Sequence, residues 1–360
     1  MKPHELEILK QQFQERILPD VPMILVGMGT CGIGNGADVI FNRLEARISE
    51  TKSPYLLKQT GCFGFCAQEP LVTLYQPGKP LLVYCRVNEK DAIHLVDALT
   101  KGRIYNKKIL CRIDEWDFRE SQVHFGKGYA EIPHWDEIPF FKGQKKIVLR
   151  HAGLIDPEDI RDYFAVGGYR ALKKTLEMQQ EDVVSEILAS KLRGRGGAGF
   201  PTGIKWSIMQ KAEDDQKYII CNADEGDPGA YMNRNEIESD PHMLIEGMII
   251  GAYAMGATEG IAYVRAEYPL AVKRLKKAIE QATEWGLLGE NILDSGFNFN
   301  LYVVEGAGAF VCGEETALIA SIEGKAGRPM PRPPYPSAKG LYGKPTNINA
   351  PGVLSFATDL

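Results

Sequence analysis

No uninterrupted apolar run of membrane length exists in the 360-residue sequence. The longest apolar stretch, around Leu244 to Ala257, is broken by Glu246 and falls short of the ~18 apolar residues a membrane helix needs. No transmembrane span is expected. A long basic block is missing too. The 42 Lys and Arg stand against 47 Asp and Glu, a net charge of -5, so nucleic acid, which is held by phosphate neutralisation, is a poor partner. The N-terminal MKPHELEILKQQFQERI is charged and amphipathic and lacks the apolar centre of a signal peptide, so a cytoplasmic location is expected. Cysteines are few and odd in number, seven in all. In a reducing compartment each is expected to be a core thiol, a metal ligand or a redox group rather than half of a structural disulfide. What is present is ordinary globular composition, 44% apolar and 25% charged. At ~150 residues per domain the length suggests about two domains.

From Glu5 to Ile17 the apolar positions Leu6, Leu9, Phe13 and Ile17 share one helical face. A short strand, Val21 to Val26, runs into the Gly-rich turn GMGTCGIGNGA, and Val39 to Ile48 reads as a helix. Leu71 to Tyr75 and Leu81 to Val87 are strands split by Gln-Pro-Gly-Lys, a hairpin signal, and Asp91 to Leu99 reads as a closing helix. This order is that of a small thioredoxin-like sandwich over residues 1–103. Residues 104–150 mix aromatics and charges without a sustained period, and Pro133 and Pro139 break any helix, which reads as an ordered linker. Residues 151–360 alternate again. Helices are expected near 157–164, 168–176, 181–192, 241–255, 269–285 and 315–322, with strands at Tyr218 to Asn222, Ile261 to Arg265 and Phe299 to Val304. Such alternation predicts an α/β layer fold on a mainly parallel sheet.

Four stretches of this second domain carry chemistry. GRGGAGFPTG, residues 194–203, places five glycines in ten positions, which lets backbone approach a flat or phosphorylated ligand. It matches G-x-G-x-x-G but follows a helix, Val183 to Leu192, rather than a strand, so the standard dinucleotide fingerprint is rejected. A flexible surface loop is the bland alternative, against which Arg195, Phe200, Lys205 and Trp206 add charge and ring surface. The second stretch, Cys-Asn-Ala-Asp-Glu-Gly-Asp-Pro-Gly, puts Asp224, Glu225 and Asp227 beside Asn222 at a strand's carboxyl end. There they could accept bonds from ribose hydroxyls or an amide, or simply form a solvated Asx-rich turn. The third, EGAGAFVCGEET at 305–316, runs from a strand through glycines into a helix opened by Glu314 and Glu315, acids that ordinarily complement a helix dipole. The fourth, RPMPRPPYPSAKGLYGKPTNIN, strings Arg332, Tyr335 and Lys344 along a stiff path whose bland reading is a polyproline linker.

In the first domain, TGCFGFC spaces Cys62 and Cys66 as Cys-x-x-x-Cys, which disfavours the Cys-x-x-Cys dithiol chemistry and favours a metal or iron-sulfur site. Cys31 is the third candidate ligand. The fourth is open, with Cys85 a substitute; Cys111, Cys221 and Cys312 read as small buried thiols.

The joint occurrence of GRGGAGFPTG-x-K-W, NADEGDPGA, RAEYP, GAGAFVCGEETAL and KPTNIN resembles the FMN- and NADH-binding subunit of respiratory complex I. It is most similar to the flavoprotein beta subunits of electron-bifurcating hydrogenases and NAD-linked formate dehydrogenases. The resemblance runs from about Lys146 to Asn349, and the head resembles the two-iron ferredoxin domain that precedes the flavin domain in the hydrogenase type. It implies an α/β chain with an N-terminal thioredoxin-like domain and a Rossmann-like FMN-binding domain. Its activity would be NADH dehydrogenation by hydride transfer between NAD(H) and FMN. Its partners would be NADH and the iron-sulfur subunits of a larger redox complex. Gly194, Arg195, Gly196, Gly197 and Lys205 would line the FMN, and Asn222, Asp224 and Glu225 would bond the flavin and its ribityl chain. Gly313 and Glu314 would continue that floor, Glu314 with the catalytic role beside the nicotinamide, and Asn349 would reach the phosphate. For NADH, Phe200 and Tyr335 would stack, while Asp227, Glu315 and Arg332 would hold polar groups. Cys31, Cys62 and Cys66 would hold a 2Fe-2S cluster with a fourth ligand unknown.

Three departures stand out. The family's C-terminal ubiquitin-like domain and 4Fe-4S domain do not follow before Leu360; the family's paired Asn is here Asn349-Ala350; and Gly27 stands where a cluster thiolate normally lies. They keep an alternative open, a truncated, non-catalytic flavin- or nucleotide-binding assembly protein.

Overall fold

The structure, a computed structural model, describes residues 1–117 and 122–359; residues 118–121, inside the expected linker, and residue 360 lie outside the described residues. It divides into two units. One is Lys10–Val166 with Glu238–Asp240, the head; the other is Met1–Leu9 with Gly167–Ile237 and Pro241–Leu360. The N-terminal amphipathic stretch forms α1 (Glu5–Phe13), which ends in a single 3-10 turn, Gln14–Arg16, short of the expected Ile17.

The head is built on β1 (Met23–Gly27), whose five residues are all buried. β2 (Leu56–Thr60) pairs with it in parallel and β3 (Val72–Tyr75) antiparallel. β4 (Leu81–Tyr84) and β5 (Ile109–Ile113) extend the sheet antiparallel, in the order β2-β1-β3-β4-β5. After the helical turn α2 (Thr30–Gly34), α3 (Ala37–Thr51) and α4 (Glu89–Thr100) pack Ile40, Leu44, Leu95 and Val96 against Ile24, Val26, Leu74 and Leu82 of the sheet. Asn88 starts α4 with a reciprocal capping box to Asp91, the pattern that satisfies two otherwise orphaned amides. This is the thioredoxin-like α/β order expected. The Gly-rich segment holds α2, where the sequence predicts only a turn. β2 escaped because Leu56-Leu-Lys-Gln-Thr is an edge strand with little burial to impose alternation. The sheet also runs past residue 103, since β5 buries Cys111 and Ile113 around a polar Arg112. β6 (Glu115–Asp117) and β7 (Gln122–His124) form a small hairpin, and α5 (Ile160–Ala165) lies near the end of the unit.

The second unit begins with α6 (Arg170–Leu176), α7 (Gln180–Ser190) and α8 (Thr202–Lys211). Its sheet is wholly parallel, with β8 (Tyr218–Ala223), β9 (Glu259–Arg265), β10 (Asn300–Gly306) and β11 (Thr346–Asn349) in the order β10-β9-β8-β11. α9 (Met232–Ser239), α10 (Pro241–Met255), α11 (Pro269–Glu284), α12 (Glu315–Ile322), α13 (Pro336–Lys339) and α14 (Pro351–Ala357) complete it. α10 is buried along nearly its whole length, and Glu246 within it is tolerated because its carboxylate accepts the amides of Tyr169 and Leu172 at 2.8 and 2.9 Å, at the start of α6. Gly247 lets α14 close on α10: a Cβ there would lie 2.0 Å from the Leu354 carbonyl. Five elements of this unit were not anticipated, namely α8, α9, α13, β11 and α14. Each lies in a Gly-, Asx- or Pro-rich stretch whose local pattern is weak and whose tertiary packing decides its form. No described helix is long and apolar enough to cross a membrane.

Candidate functional site

β8 passes to β9 on one side, while β11 arrives on the other side from beyond β10, so the sheet has a topological switch point between β8 and β11. Open parallel sheets bind ligands at the carboxyl ends of strands at such a point. Asn222, near the end of β8, donates from Nδ2 to the Gly313 carbonyl at 2.9 Å, and its Oδ1 accepts the Asp224 amide at 3.1 Å. That link ties the turn before α12 to the end of β8. A Cβ at Gly313 would stand in ordinary contact with the Asp224 carbonyl, at 3.4 Å. Asp224 is buried, and among the described residues its Oδ2 has no hydrogen-bond partner. Burial raises its pKa above the usual aspartate value, against the pull of the Arg265 guanidinium.

Glu225, Glu314 and Glu315 are engaged within the protein. The Glu225 carboxylate accepts the Asn233 and Arg234 amides at 3.2 and 3.4 Å, at the start of α9, while its carbonyl takes Arg265 Nη1 at 2.5 Å. Glu314 is the N-cap of α12, accepting the Thr316 and Ala317 amides at 2.9 and 3.0 Å; its other oxygen lies 3.9 Å from Arg332. Glu315 accepts Lys205 Nζ at 2.5 Å and stands 3.6 Å from Arg332. Lys205 also donates to the Ile348 carbonyl at 2.6 Å, one residue before Asn349. Asn349 is buried and hydrogen-bonds Asn347, whose own Nδ2 is without a partner among the described residues. Asn222, Asp224, Gly313, Glu314, Glu315, Lys205, Arg332 and Asn349 are thus linked through neighbours around the strand ends.

Ahead of α8, the Gly194 amide closes the Gly-rich loop on the Phe200 carbonyl at 2.8 Å. Gly197 has φ +100° and Gly199 φ +61°, and nothing lies within 4 Å of a Cβ built at Gly196 or Gly197. The loop therefore offers bare backbone facing open space. Arg195 turns away onto the Phe356 ring of α14 at 4.9 Å. Phe200 and Tyr335 are 50% and 58% exposed, and Asp227 lies in an exposed turn. Among the described residues these three make no side-chain hydrogen bond or ring contact with the cluster at the strand ends. Sequence reasoning missed Arg265 and Asn347. The signal for Arg265 was its place in RAEYP at the carboxyl end of β9; Asn347 required β11 to be recognised.

In the head, Cys62 and Cys66 stand 4.0 Å apart, Sγ to Sγ. The Cys62 thiol donates to Glu69 Oε1 at 3.2 Å, and Cys66 contacts Cys31. The contact with Cys31 pulls the Cys66 thiol down, but its hydrogen bond with Cys62 and burial outweigh this and hold it at about 11. Burial pushes Glu69 up to about 7 despite hydrogen bonds from the Leu71 amide and Cys62. Lys146 is driven down to about 8 by burial, with Cys62 and Cys111 pulling the other way. Cys85, the substitute ligand, neighbours Cys111 instead. Among the described residues no three His, Cys, Asp or Glu side chains are arranged to hold a single metal ion. Cys111, Cys221 and Cys312 are buried free thiols, as expected.

Residues 187–353 match the Nuo51 FMN-binding domain. The matched stretch runs through α8 and the whole parallel sheet to the start of α14. Over 216 residues the chain is 59% identical to the NADP-reducing hydrogenase subunit HndC of Solidesulfovibrio fructosivorans, covering 60% of this chain and 44% of that protein. Over 191 residues it is 46% identical to the mitochondrial NADH dehydrogenase [ubiquinone] flavoprotein 1 of Dictyostelium discoideum, covering 52% and 40%. The chain therefore spans less than half the length of these relatives. It is similar in structure to the NAD+-reducing [NiFe]-hydrogenase in its H2-reduced state, with TM-score 0.52 and 25% identity over 99% of this chain and 58% of that one. The Nuo51 domain's residues suit a flavin mononucleotide: a buried acceptor lacks a donor at Asp224 Oδ2, and open space faces the Gly196 backbone.

Proposed function

We propose that the chain binds FMN at the carboxyl ends of β8 and β11 and dehydrogenates NADH there, as one subunit of a larger cytoplasmic redox complex with iron-sulfur partners. The observation that carries this reading is the buried, unpartnered Asp224 Oδ2 at the switch point of a Nuo51 FMN-binding domain. Held by Asn222, Asp224, Lys205 and the Gly194–Gly197 backbone, FMN would supply hydride chemistry toward NADH and one-electron chemistry toward iron-sulfur partners.

The chain's own residues supply binding and orientation. The Gly194, Gly196 and Gly197 backbone lets a flat ring approach without Cβ interference, with Arg195 at its side. Asn222 and Asp224 hold acceptors toward the ring edge, Asp224 receiving the hydrogen bond it lacks. Lys205, fixed by Glu315 and Ile348, supplies positive charge where an anionic group or a reduced ring would gather negative charge, and Asn349 stands beside it. Glu225 acts through α9, whose amides it caps, and so positions Asp224 rather than touching the ligand. Gly313 leaves room above Asp224, and Glu314 presents its second oxygen with Arg332 to the nicotinamide side. The exposed Phe200 and Tyr335 rings are free to stack on NADH, with Asp227, Glu315 and Arg332 meeting its hydroxyl and carboxamide groups. A division into a head whose sheet runs on through β5, a connecting segment and a flavin domain from about residue 151 belongs to the same proposal.

The test is steady-state turnover. The FMN-loaded full chain should reduce an artificial one-electron acceptor at the expense of NADH, and a loaded chain without NADH-dependent turnover contradicts the proposal.

A further inference from the structure

We infer that Glu69 is the fourth protein ligand of a two-iron cluster in the head, replacing the thiolate that Gly27 does not supply. This goes beyond the flavin reading and rests on the head alone. Gly27 ends β1, and its amide donates to the Leu71 carbonyl at 3.0 Å. A side chain grown from Gly27 would meet the Glu69 carboxylate directly, with both oxygens 3.4 Å from the Cβ position. The carboxylate thus stands where a residue-27 side chain would project.

Its neighbours are the other three donors. Glu69 Oε1 accepts the Cys62 thiol at 3.2 Å, Cys62 lies 4.0 Å from Cys66, and Cys66 contacts Cys31. The order Glu69, Cys62, Cys66, Cys31 is an unbroken row of four donors in contact. A 4.0 Å separation of Cys62 and Cys66 sulfurs is close to the ~3.8 Å expected of two thiolates sharing one tetrahedral metal at ~2.3 Å. A two-iron cluster spreads its four protein ligands over two metals, so it does not need three of them to converge on one point.

Three further details fit an anionic, metal-bearing pocket. The Gly64 amide points at Cys62 Sγ at 3.2 Å, the kind of amide-to-sulfur bond that steadies a cluster thiolate. Glu69 Oε2 is fixed by the Leu71 amide at 2.7 Å, so the carboxylate is held in place before any ligand arrives. Lys146 lies beside Cys62 in an aromatic enclosure, 4.5 Å from the Phe63 ring and 5.4 Å from that of Phe141, with Nζ donating to the Phe63 carbonyl at 3.1 Å. No carboxylate pairs with this ammonium among the described residues. Three thiolates and a carboxylate on a cluster supply the negative charge that a buried cation calls for.

The experiment is anaerobic reconstitution of the full chain with ferric iron, sulfide and a thiol reductant. Iron, acid-labile sulfide and the visible absorption are then measured, none of which depends on flavin. The wild type should hold two irons and two sulfides per chain. Glu69→Ala should lose more than half of that iron. Recovery should follow when a thiol is restored from either side, by Glu69→Cys or by the double change Gly27→Cys with Glu69→Ala. Both thiol variants should show stronger sulfur-to-iron absorption than the wild type. Full iron with an unchanged spectrum in Glu69→Ala overturns the inference. So does iron loss that neither thiol variant repairs, which would mark Glu69 as a structural carboxylate, and so does a folded wild type that takes up no iron.

Discussion

Asp224 is the residue on which the proposed flavin site turns. Its raised pKa means that folding favours its protonated form relative to the unfolded chain. Its contribution to stability is therefore full below the ordinary aspartate pKa and is lost as pH rises through the raised value. A flavin N–H donating to Oδ2 reverses that preference, because a hydrogen bond to the ionised carboxylate favours it. FMN should consequently bind more tightly as pH rises through the raised pKa of this carboxyl. Asp224→Asn should flatten that dependence, as read by fluorescence titration; an Asp224→Asn chain with the wild-type pH profile would remove Asp224 from the site. Gly196→Val should abolish FMN binding while leaving the melting temperature near the wild type, since the space beside its Cβ is open. The sequence shows glycines and acids at a strand's carboxyl end, a place where open parallel sheets bind ligands. Residue chemistry was less legible at Glu225 and Glu314. The sequence shows acids near helix starts, but whether such a carboxylate meets a ligand or its own helix depends on rotamers that no spacing rule contains.

The elements explain that second group. Glu314 accepts two amides at the start of α12, so Glu314→Ala should lower stability by about 1 kcal/mol in chemical denaturation, while Glu314→Gln, which keeps an acceptor oxygen, should cost much less. Equal losses in the two variants would contradict the cap. If the remaining oxygen serves the nicotinamide side, Glu314→Gln should raise the KM for NADH with flavin content unchanged. Packing of α14 on α10 depends on Gly247, and Gly247→Val, which drives two methyls into the Leu354 backbone, should cost at least ~1–3 kcal/mol. Periodic elements such as α10, α11 and β8 to β10 could be read from the chain because burial fixes their pattern. β2, β5, α8, α9 and β11 could not, being edge strands or pieces assembled around glycine and proline. β11 mattered most, since without it the sheet has no switch point and Asn347 and Asn349 have no strand to stand on.

At the scale of the whole molecule, the two units divide the chemistry. A parallel sheet in the stretch that matches the Nuo51 FMN-binding domain carries the polar strand ends and the Gly-rich loop, and a thioredoxin-like head carries three thiols in a row with Glu69. The order of elements revealed both architectures, but the head's fourth donor was hidden. Glu69 lies seven residues from Cys62, and only the fold shows that it occupies the space beside Gly27. The central claim, that flavin seated at the β8–β11 switch point takes hydride from NADH, is tested most directly in a sealed cuvette. The full chain is loaded with FMN, freed of excess flavin under argon and mixed with a stoichiometric amount of NADH while the visible flavin absorption is followed. This absorption should bleach as NADH is consumed, and Asp224→Asn and Gly196→Val should diminish or abolish the change. A tightly held flavin that keeps its colour in the presence of NADH would contradict the claim.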